Sequence, residues 1–315
     1  MIDRAGRALV WLGLMAVLAT PAAAQRRFTT TQRCTPAQQA RGCLLVLGSG
    51  MPVPDPERAG PAYAFVFGER VLLFDAGAGV MRRAAAAGLP IDGFHRVFLT
   101  HLHSDHTLGV PDVLLTTWVM GRRTPMTVVG PPGTRTMVEH LLAAWSEDIR
   151  VRTTGLERGQ PGGERAAVTE TTGGVVYDSA GLTVTAVPVP HGEWAHAFAW
   201  VIATPDRRVV LSGDAAPGTA LGEAARGADL LVHETYPEIR LKPENRPGGE
   251  AWPAYMRSVH TSDREVGALA SAAGVRRVVL SHVVRMGGTD VELLAGVRRG
   301  GYRGPVTVAR DLDVY

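Results

Sequence analysis

From residue 44 to the end of the chain, short apolar runs rich in β-branched residues alternate with stretches that carry an apolar face at helical spacing. The first pattern predicts buried strands, and the second predicts helices that cover them. This alternation favours an α/β fold in which two sheets pack face to face with helices outside, a four-layer αββα sandwich. The predicted strands are 44–47, 64–67, 71–74, 97–99, 127–129, 175–177, 182–189, 197–203, 209–211, 230–232, 278–280 and 306–308, and the predicted helices are 111–119, 134–146, 219–225, 263–273 and 290–298.

One segment interrupts this alternation. Residues 155–174 are polar and rich in glycine, and they show no hydrophobic period. Such a composition predicts a surface loop, which here would separate the two halves of the chain.

The first 24 residues have the pattern of a secretory signal peptide. Arg4 and Arg7 precede an apolar run over 8–18, and an Ala-x-Ala cleavage site ends at Ala24. We therefore expect a periplasmic or secreted protein that is not inserted in a membrane once the signal is removed, the alternative being an uncleaved anchor. The predicted organisation is a signal peptide over 1–24, an N-terminal extension over 25–43 and one globular domain over 44–315.

Cys34 and Cys43 are the only two cysteines, and they stand nine positions apart. Export to an oxidising compartment predicts a disulfide between them, and two free buried thiols are the alternative.

The charge balance gives an expectation about partners. Lysine and arginine number 33 against 30 aspartates and glutamates, and without residues 1–24 the balance is 31 against 29. Because a nearly neutral chain lacks the basic excess typical of nucleic-acid binders, we expect no nucleic-acid partner. A homodimer is compatible with the sequence.

Candidate chemistry is concentrated in one turn. His101, His103, Asp105 and His106 follow the predicted strand 97–99, where open α/β sheets bind ligands. In an extended segment alternate side chains share a face, so His101 and His103 can bind one ion while Asp105 and His106 point to a second. Imidazole and carboxylate ligands without thiolate favour two Zn²⁺ ions, with Mn²⁺ or Fe as alternatives. The competing interpretation is a polar surface turn.

Three further candidate ligands follow predicted strands. Asp214 comes after 209–211 and could bridge two ions, and His282 comes after 278–280. His191 and His196 both follow 182–189, and we favour His191 because it stands at the strand's end.

Taken in order, these elements resemble the metallo-β-lactamase superfamily of binuclear metal hydrolases. The resemblance covers about 44–310 and implies the metallo-β-lactamase fold, with one metal on His101, His103 and His191. It rests on the turn 101–106, His191, Ser212-Gly213-Asp214, His282, the aspartate in Leu73-Phe74-Asp75-Ala76-Gly77, and the opening strand and turn Leu47-Gly48-Ser49-Gly50. The second metal would lie on Asp105, which we also count as catalytic, His106 and His282, with Asp214 between the two ions.

Two elements resemble the ribonuclease Z branch of that superfamily, His233-Glu234-Thr235-Tyr236 and His260-Thr261-Ser262. The resemblance implies that Glu234 orients His260, which protonates the departing oxygen. An acid with a pKa near neutrality suits an alkoxide or phenoxide leaving group. The alternative for His260 is a structural position ahead of the helix 263–273.

Ribonuclease Z itself carries a long tRNA-gripping arm between its third histidine and its bridging aspartate, an interval that holds only about twenty residues here. We therefore expect an exported enzyme of the arylsulfatase or phosphodiesterase type that acts on a small-molecule ester, and not a tRNA nuclease. The alternatives are a lactonase or β-lactamase that acts on a carbonyl, and a metal-binding protein without activity. Trp252 and Tyr255 are candidates for an aromatic substrate wall, or for a packed loop.

Overall fold

The computed structural model describes residues 33–315. The predicted signal peptide over 1–24 and residues 25–32 of the predicted extension lie outside the described residues. Thirteen strands and ten α-helices occur in the part described, and no helix there is both apolar enough and long enough to cross a membrane. The helices are α1 Pro36–Arg41, α2 Val80–Ala86, α3 Ser104–Thr107, α4 Val110–Val119, α5 Thr134–Ala144, α6 Ser146–Thr154, α7 Thr219–Ala224, α8 Trp252–Val259, α9 Asp263–Ala272 and α10 Asp290–Arg299.

The strands form two sheets that follow chain order. Each sheet begins with antiparallel pairs and ends with parallel ones. The first sheet contains β1 Cys43–Gly48, β2 Ala62–Phe67, β3 Arg70–Phe74, β4 Phe94–Phe98, β5 Met126–Gly130 and β6 Ala166–Glu170. The second contains β7 Gly174–Ser179, β8 Leu182–Pro188, β9 Phe198–Thr204, β10 Arg207–Leu211, β11 Leu230–Thr235, β12 Val278–Val283 and β13 Val306–Val308.

Three apolar layers hold these elements together. The central layer lies between the sheets, where Trp200 of β9 packs against Phe74 and Phe98 of the first sheet. A second layer lies between the first sheet and α2, α4 and α5, and a third lies between the second sheet and α7, α9 and α10. Most strands are therefore buried on both faces, as their continuous apolar runs require. The predicted four-layer αββα sandwich is confirmed.

The structure joins Cys34 and Cys43 in a disulfide, with their Cα atoms 6.2 Å apart. Both cysteines are buried, and the bond ties the segment before α1 to the first residue of β1. The predicted disulfide is confirmed.

The loop predicted over 155–174 is wrong in its second half, because β6 occupies Ala166–Glu170 and pairs with β5 in parallel. β6 is the edge strand of the first sheet, and its side chains are half-buried or exposed. Its five residues, Ala166-Ala167-Val168-Thr169-Glu170, form too short an apolar run to indicate a strand, and an edge strand needs little apolar surface. The predicted helix 134–146 ends as α5 at Ala144, and α6 begins at Ser146 and continues to Thr154. The helices α1, α2, α3 and α8 were not predicted.

Candidate metal centre

Seven side chains from both halves of the chain meet where the ends of the two sheets face each other. Four belong to the turn after β4 and to α3, and the others follow β8, follow β10 or stand near the end of β12. Parallel and neighbouring strands end at the same edge, so ligands distant in sequence become neighbours. They form one group of His101, His103, His191 and Asp214 and a second of Asp105, His106 and His282.

In the first group, three imidazole nitrogens converge. His103 Nδ1 lies 2.8 Å from His101 Nε2 and 3.2 Å from His191 Nε2. The ligand atoms of the group, including one Asp214 oxygen, lie within 4.8 Å of one another. Three imidazoles and a carboxylate at this spacing form a donor set that suits Zn²⁺.

The second group is linked to the first through Asp214. Asp105 Oδ2 lies 3.1 Å from His282 Nε2 and 3.5 Å from His106 Nε2. Asp214 Oδ1 lies 3.3 Å from His106 Nε2, and its Oδ2 lies 3.5 Å from His282 Nε2. The Asp214 carboxylate therefore adjoins both groups, which is the position that a bridging ligand requires.

The buried polar atoms test whether a metal fits. His106 Nε2 and Asp214 Oδ1 are buried, and although they lie 3.3 Å apart, neither has a hydrogen bond of good geometry among the described residues. Leaving such atoms unsatisfied costs about 1–3 kcal/mol each, so a site of this kind is built for a ligand that satisfies them. The residues present fit a pair of divalent cations.

The buried carboxylates of the site attract positive charge, whether it is carried by a proton or by a metal ion. Burial raises the pKa of Asp214, but the neighbouring His282 and His106 outweigh it and lower this pKa well below its usual range. Burial opposes charge on His106, yet the Asp214 and Asp75 carboxylates raise its pKa well above its ordinary value. Burial lowers the pKa of His101, His103 and His191, which favours the neutral imidazole that a metal requires.

Contacts behind the ligands fix their orientation. Asp75 follows β3 with φ 55°, and its carboxylate accepts the Thr100 N–H at 2.8 Å and lies 2.8 Å from His106 Nδ1. Thr100 Oγ1 lies 3.0 Å from His101 Nδ1, and the Val259 carbonyl lies 2.7 Å from His191 Nδ1. Such partners hold the tautomer and the ring plane of metal-binding histidines.

Two backbone positions near the ligands are unusual. His282 has φ 47°, a left-handed conformation that costs a non-glycine residue about 1–3 kcal/mol. Its amide donates to the Ser49 carbonyl at 3.2 Å in the turn after β1, which holds it there. Gly213 has φ 58°, and a Cβ at this position would lie 2.6 Å from the Phe198 carbonyl oxygen. Glycine therefore lets the chain bring Asp214 into the site.

His260 and Glu234 lie beside both groups. The His260 ring centroid is 5.7 Å from that of His191 and 6.0 Å from that of His282. Its Nδ1 lies 3.3 Å from Glu234 Oε2, and Glu234 Oε1 accepts the Thr261 N–H at 3.0 Å. Burial opposes charge on His260, but the Glu234 carboxylate outweighs it and raises the pKa of His260 to about 9. His260 is therefore protonated at neutral pH.

The other residues that the sequence suggested for the site lie outside the two groups of candidate ligands. His196 is half-buried and outside both groups, whereas His191 belongs to the first. Trp252 stacks on Tyr255 at a centroid distance of 5.4 Å and packs on a small apolar cluster around Tyr236 and Met256.

Sequence reasoning missed Trp194, whose Nε1 lies 2.7 Å from His103 Nε2. Its position three residues after His191 was the available signal.

A family model described as a β-lactamase superfamily domain matches residues 70–283. Ribonuclease Z of Mycobacterium bovis BCG is 35% identical over 278 residues, which cover 85% of this chain and 96% of that protein. The chain belongs to the ribonuclease Z branch of the metallo-β-lactamase superfamily. The family and the clustered side chains together indicate a metal-dependent hydrolase, and the site described above supplies the candidate metal-binding groups.

Solved structures of the superfamily share the fold at lower identity. The metallo-β-lactamase fold protein YhfI from Bacillus subtilis has a TM-score of 0.67 and 19% identity, covering 87% of this chain and 99% of that one. The short form of human tRNase Z has a TM-score of 0.62 and 20% identity, covering 87% and 98%.

These relatives correct one expectation. A small-molecule ester substrate without a nucleic-acid partner is contradicted, because the ribonuclease Z of Mycobacterium bovis is matched over 96% of its length. Total charge sums the whole surface and does not report the field at one site, so near neutrality did not exclude an RNA substrate. The interval between His191 and Asp214 holds one hairpin, β9 and β10. The shortness of this interval was the second reason for expecting no tRNA substrate, and it was also insufficient.

Proposed function

We propose that this chain is a metal-dependent phosphodiesterase that cleaves RNA, with His260 as the acid that protonates the leaving oxygen. The observation that carries the proposal is the His260 and Glu234 pair beside the two groups of metal-binding side chains. The similarity to ribonuclease Z proteins supports RNA as the substrate class. The arylsulfatase activity expected earlier has no such support.

The seven candidate ligands would hold two Zn²⁺ ions, with Mn²⁺ or Fe as alternatives. Bound there, two such ions lower the pKa of a water molecule and neutralise charge on the phosphate oxygens. His101, His103 and His191 would hold one ion, Asp105, His106 and His282 the other, and Asp214 both. Asp105 thus serves catalysis through the metal that it binds.

The proton is supplied by the chain itself. His260 Nδ1 is turned towards Glu234, which leaves Nε2 for the oxygen that departs when the P–O bond breaks. A pKa of about 9 keeps that proton in place at neutral pH. Attack on a carbonyl, as in a lactonase or β-lactamase, does not need this pair as a leaving-group acid.

The experiment uses zinc-loaded protein and four substrates: a tRNA precursor with a 3′ extension, bis-p-nitrophenyl phosphate, p-nitrophenyl sulfate and nitrocefin. We expect cleavage of the RNA and of the phosphodiester. Turnover of nitrocefin or of the sulfate ester alone would contradict the proposal. An Asp214→Ala protein purified in parallel controls for contaminating ribonuclease, because it should leave the RNA intact.

Location is a separate proposal. We infer that the protein is exported and that the mature chain begins after Ala24, an inference supported by the signal-peptide pattern and by the disulfide between Cys34 and Cys43. N-terminal sequencing of protein from separated cell fractions tests it. Protein that keeps residues 1–24 and stays in the cytoplasmic fraction would overturn it.

A further inference from the structure

His282 occupies a bulge in the second sheet. Between two neighbouring residue pairs of β11 and β12, β12 holds one residue more than β11, so its backbone bends there. His282 lies in this interval with φ 47°. Its amide donates to the Ser49 carbonyl at 3.2 Å, a contact that comes from the first half of the chain and not from the second sheet. The position of this candidate ligand therefore depends on how Ser49 is held.

Ser49 is buried, and it begins the 49–61 loop that joins β1 to β2. Asp311 Oδ1 accepts the Ser49 N–H at 2.9 Å and the Ser49 Oγ–H at 2.8 Å. Asp311 Oδ2 accepts the Ala59 N–H at 2.7 Å and lies 2.9 Å from Arg83 Nε. One carboxylate thus holds both ends of the loop.

The environment of Asp311 explains why this contact is hard to replace. Only 4% of its side chain is exposed, and a buried carboxylate has to be compensated by hydrogen bonds and opposite charge. Arg83 supplies the charge, and the loop amides supply the hydrogen bonds. Arg58 adds a second link, because it donates to Ser49 Oγ and to the Ala309 carbonyl, both at 2.8 Å. If the loop moved away, the Asp311 carboxylate would lose most of its partners.

Asp311 belongs to the C-terminal segment 309–315, which passes from the second sheet to the first. The Ala309 N–H donates to the Leu280 carbonyl of β12 at 2.7 Å, and the Leu312 N–H donates to a carbonyl of β1 at 2.6 Å. The segment is therefore fixed at the strand that carries the bulge and at the strand that leads into the loop. Asp311 stands between these two attachments.

The same loop also adjoins a second ligand of the group that contains His282. Gly60 lies against the backbone of α3, where a Cβ would lie 3.0 Å from the Asp105 carbonyl oxygen. In the first group, by contrast, contacts with Thr100 and with the Val259 carbonyl orient two of the histidines. The loop that Asp311 holds is therefore associated with the second group of ligands.

We propose that Asp311 is a positioning residue for the second metal group. Through Ser49 it holds the backbone of His282 in the left-handed conformation that directs the imidazole towards Asp105 and His106. Groups that orient a metal-binding side chain without contacting the metal typically change its metal affinity about 10- to 100-fold. The inference rests on the two metal groups of the proposed function and not on RNA as the substrate.

The test compares Asp311→Ala with Asp313→Ala in the mature protein. Asp313 is a matched control, because its carboxylate lies on the same segment but accepts from the Arg310 N–H and the Tyr315 O–H. Zinc affinities are measured by competition with a coloured chelator. We expect Asp311→Ala to weaken one zinc ion about 10- to 100-fold and the other less than about twofold, and Asp313→Ala to leave both within about twofold.

Anomalous difference density at the zinc edge identifies the ion that is lost. Crystals of Asp311→Ala, held at the free zinc concentration at which this variant binds one ion, should keep the peak at the first group and lose the peak at the second. A general loss of stability would weaken both groups alike, so selective loss separates positioning from folding. Unchanged affinities, loss from the first group, equal loss from both, or the same loss in Asp313→Ala would overturn the proposal.

Asp311→Asn covers the case in which Asp311→Ala does not fold. The amide keeps an oxygen for Ser49 but places an N–H donor where Oδ2 accepts the Ala59 N–H. We expect a loss of about 2- to 10-fold in zinc affinity at the second group alone, the range given by one hydrogen bond. Unchanged affinity in Asp311→Asn would also overturn the proposal. RNA cleavage enters none of these readouts, so failure of this proposal and failure of the proposed function are distinguishable.

Discussion

The two halves of the chain supply the candidate metal ligands in different ways. The first half contributes four of them from one turn, between His101 and His106. The second half contributes three, each associated with a different strand: His191 after β8, Asp214 after β10 and His282 in β12. The turn is a local structure that depends on β4 and α3, whereas the other three meet only because the second sheet folds in its particular strand order.

Because of this difference, losing a ligand from the first half should have a different effect from losing one from the second half. A single change in the turn removes one ligand from one group, but Asp214 adjoins both groups. The second half also supplies His260 and Glu234, which hold no metal in the proposal. We therefore expect the first half to govern metal affinity and the second to join the two metals and supply the proton.

The largest effect should come from Asp214→Ala. Removing a carboxylate that both groups share should lower the bound metal below two ions per chain and reduce kcat/KM by about 10³-fold or more, since metals contribute several kcal/mol to such reactions. Elemental analysis and phosphodiesterase assays measure both quantities. A variant that keeps two metals and more than a tenth of the activity would show that Asp214 does not join the groups.

The next largest effect should distinguish proton donation from metal binding. His260→Ala should keep full metal content and lose about 10²- to 10⁴-fold in kcat, the usual contribution of a general acid. Metal content and rate are measured on the same preparation. An unchanged rate would refute the acid role, and a loss of metal would place His260 among the ligands.

The pH profile sharpens that assignment. His260 must be protonated to act, so kcat should fall as pH rises through about 9. Glu234→Gln removes the charge that raises this pKa, and the falling limb should move towards lower pH. Matched profiles of the wild type and Glu234→Gln check the shift, and coincident limbs would contradict the role of Glu234.

A smaller effect on metal affinity is expected from a residue that contacts a ligand of the first half without binding the metal itself. Asp75→Asn weakens the contact with His106 Nδ1, and changes to such partners typically cost about 10- to 100-fold in metal affinity. Competition with a coloured chelator measures this loss. Affinity within about twofold of the wild type would mean that Thr100 and the backbone orient His106 without Asp75.

The smallest effect should distinguish two histidines of the second half. His196→Ala should leave metal content and rate unchanged, because His196 lies outside both groups. His191→Ala is the matched variant and should lose metal from the first group. The reverse result would exchange the two assignments.

The two halves also differed in what the sequence could predict. The strands buried on both faces and the turn 101–106 were accessible because their signals are local: apolar runs, and histidines close together. Edge strand β6 was missed because its side chains face solvent, and α8 because its start lies in a segment rich in proline and glycine. Proline at the first turn of a helix is compatible with helix formation, a signal that was available.

Contacts between residues far apart in the chain could not be predicted from local sequence patterns. The Trp194 contact with His103 joins residues 91 positions apart, and it exists only because Gly192 turns the chain back over the site. The link between His282 and Ser49 likewise joins opposite ends of the chain. Substrate class was misjudged for a related reason, because total charge is a property of composition and not of a surface.

The most direct test of the central claim is a crystal structure of zinc-loaded protein with anomalous difference density measured at the zinc edge. We predict two peaks, one among His101 Nε2, His103 Nδ1 and His191 Nε2 and one among Asp105, His106 and His282, with the Asp214 carboxylate between them. A single peak, or peaks away from these side chains, would contradict the account.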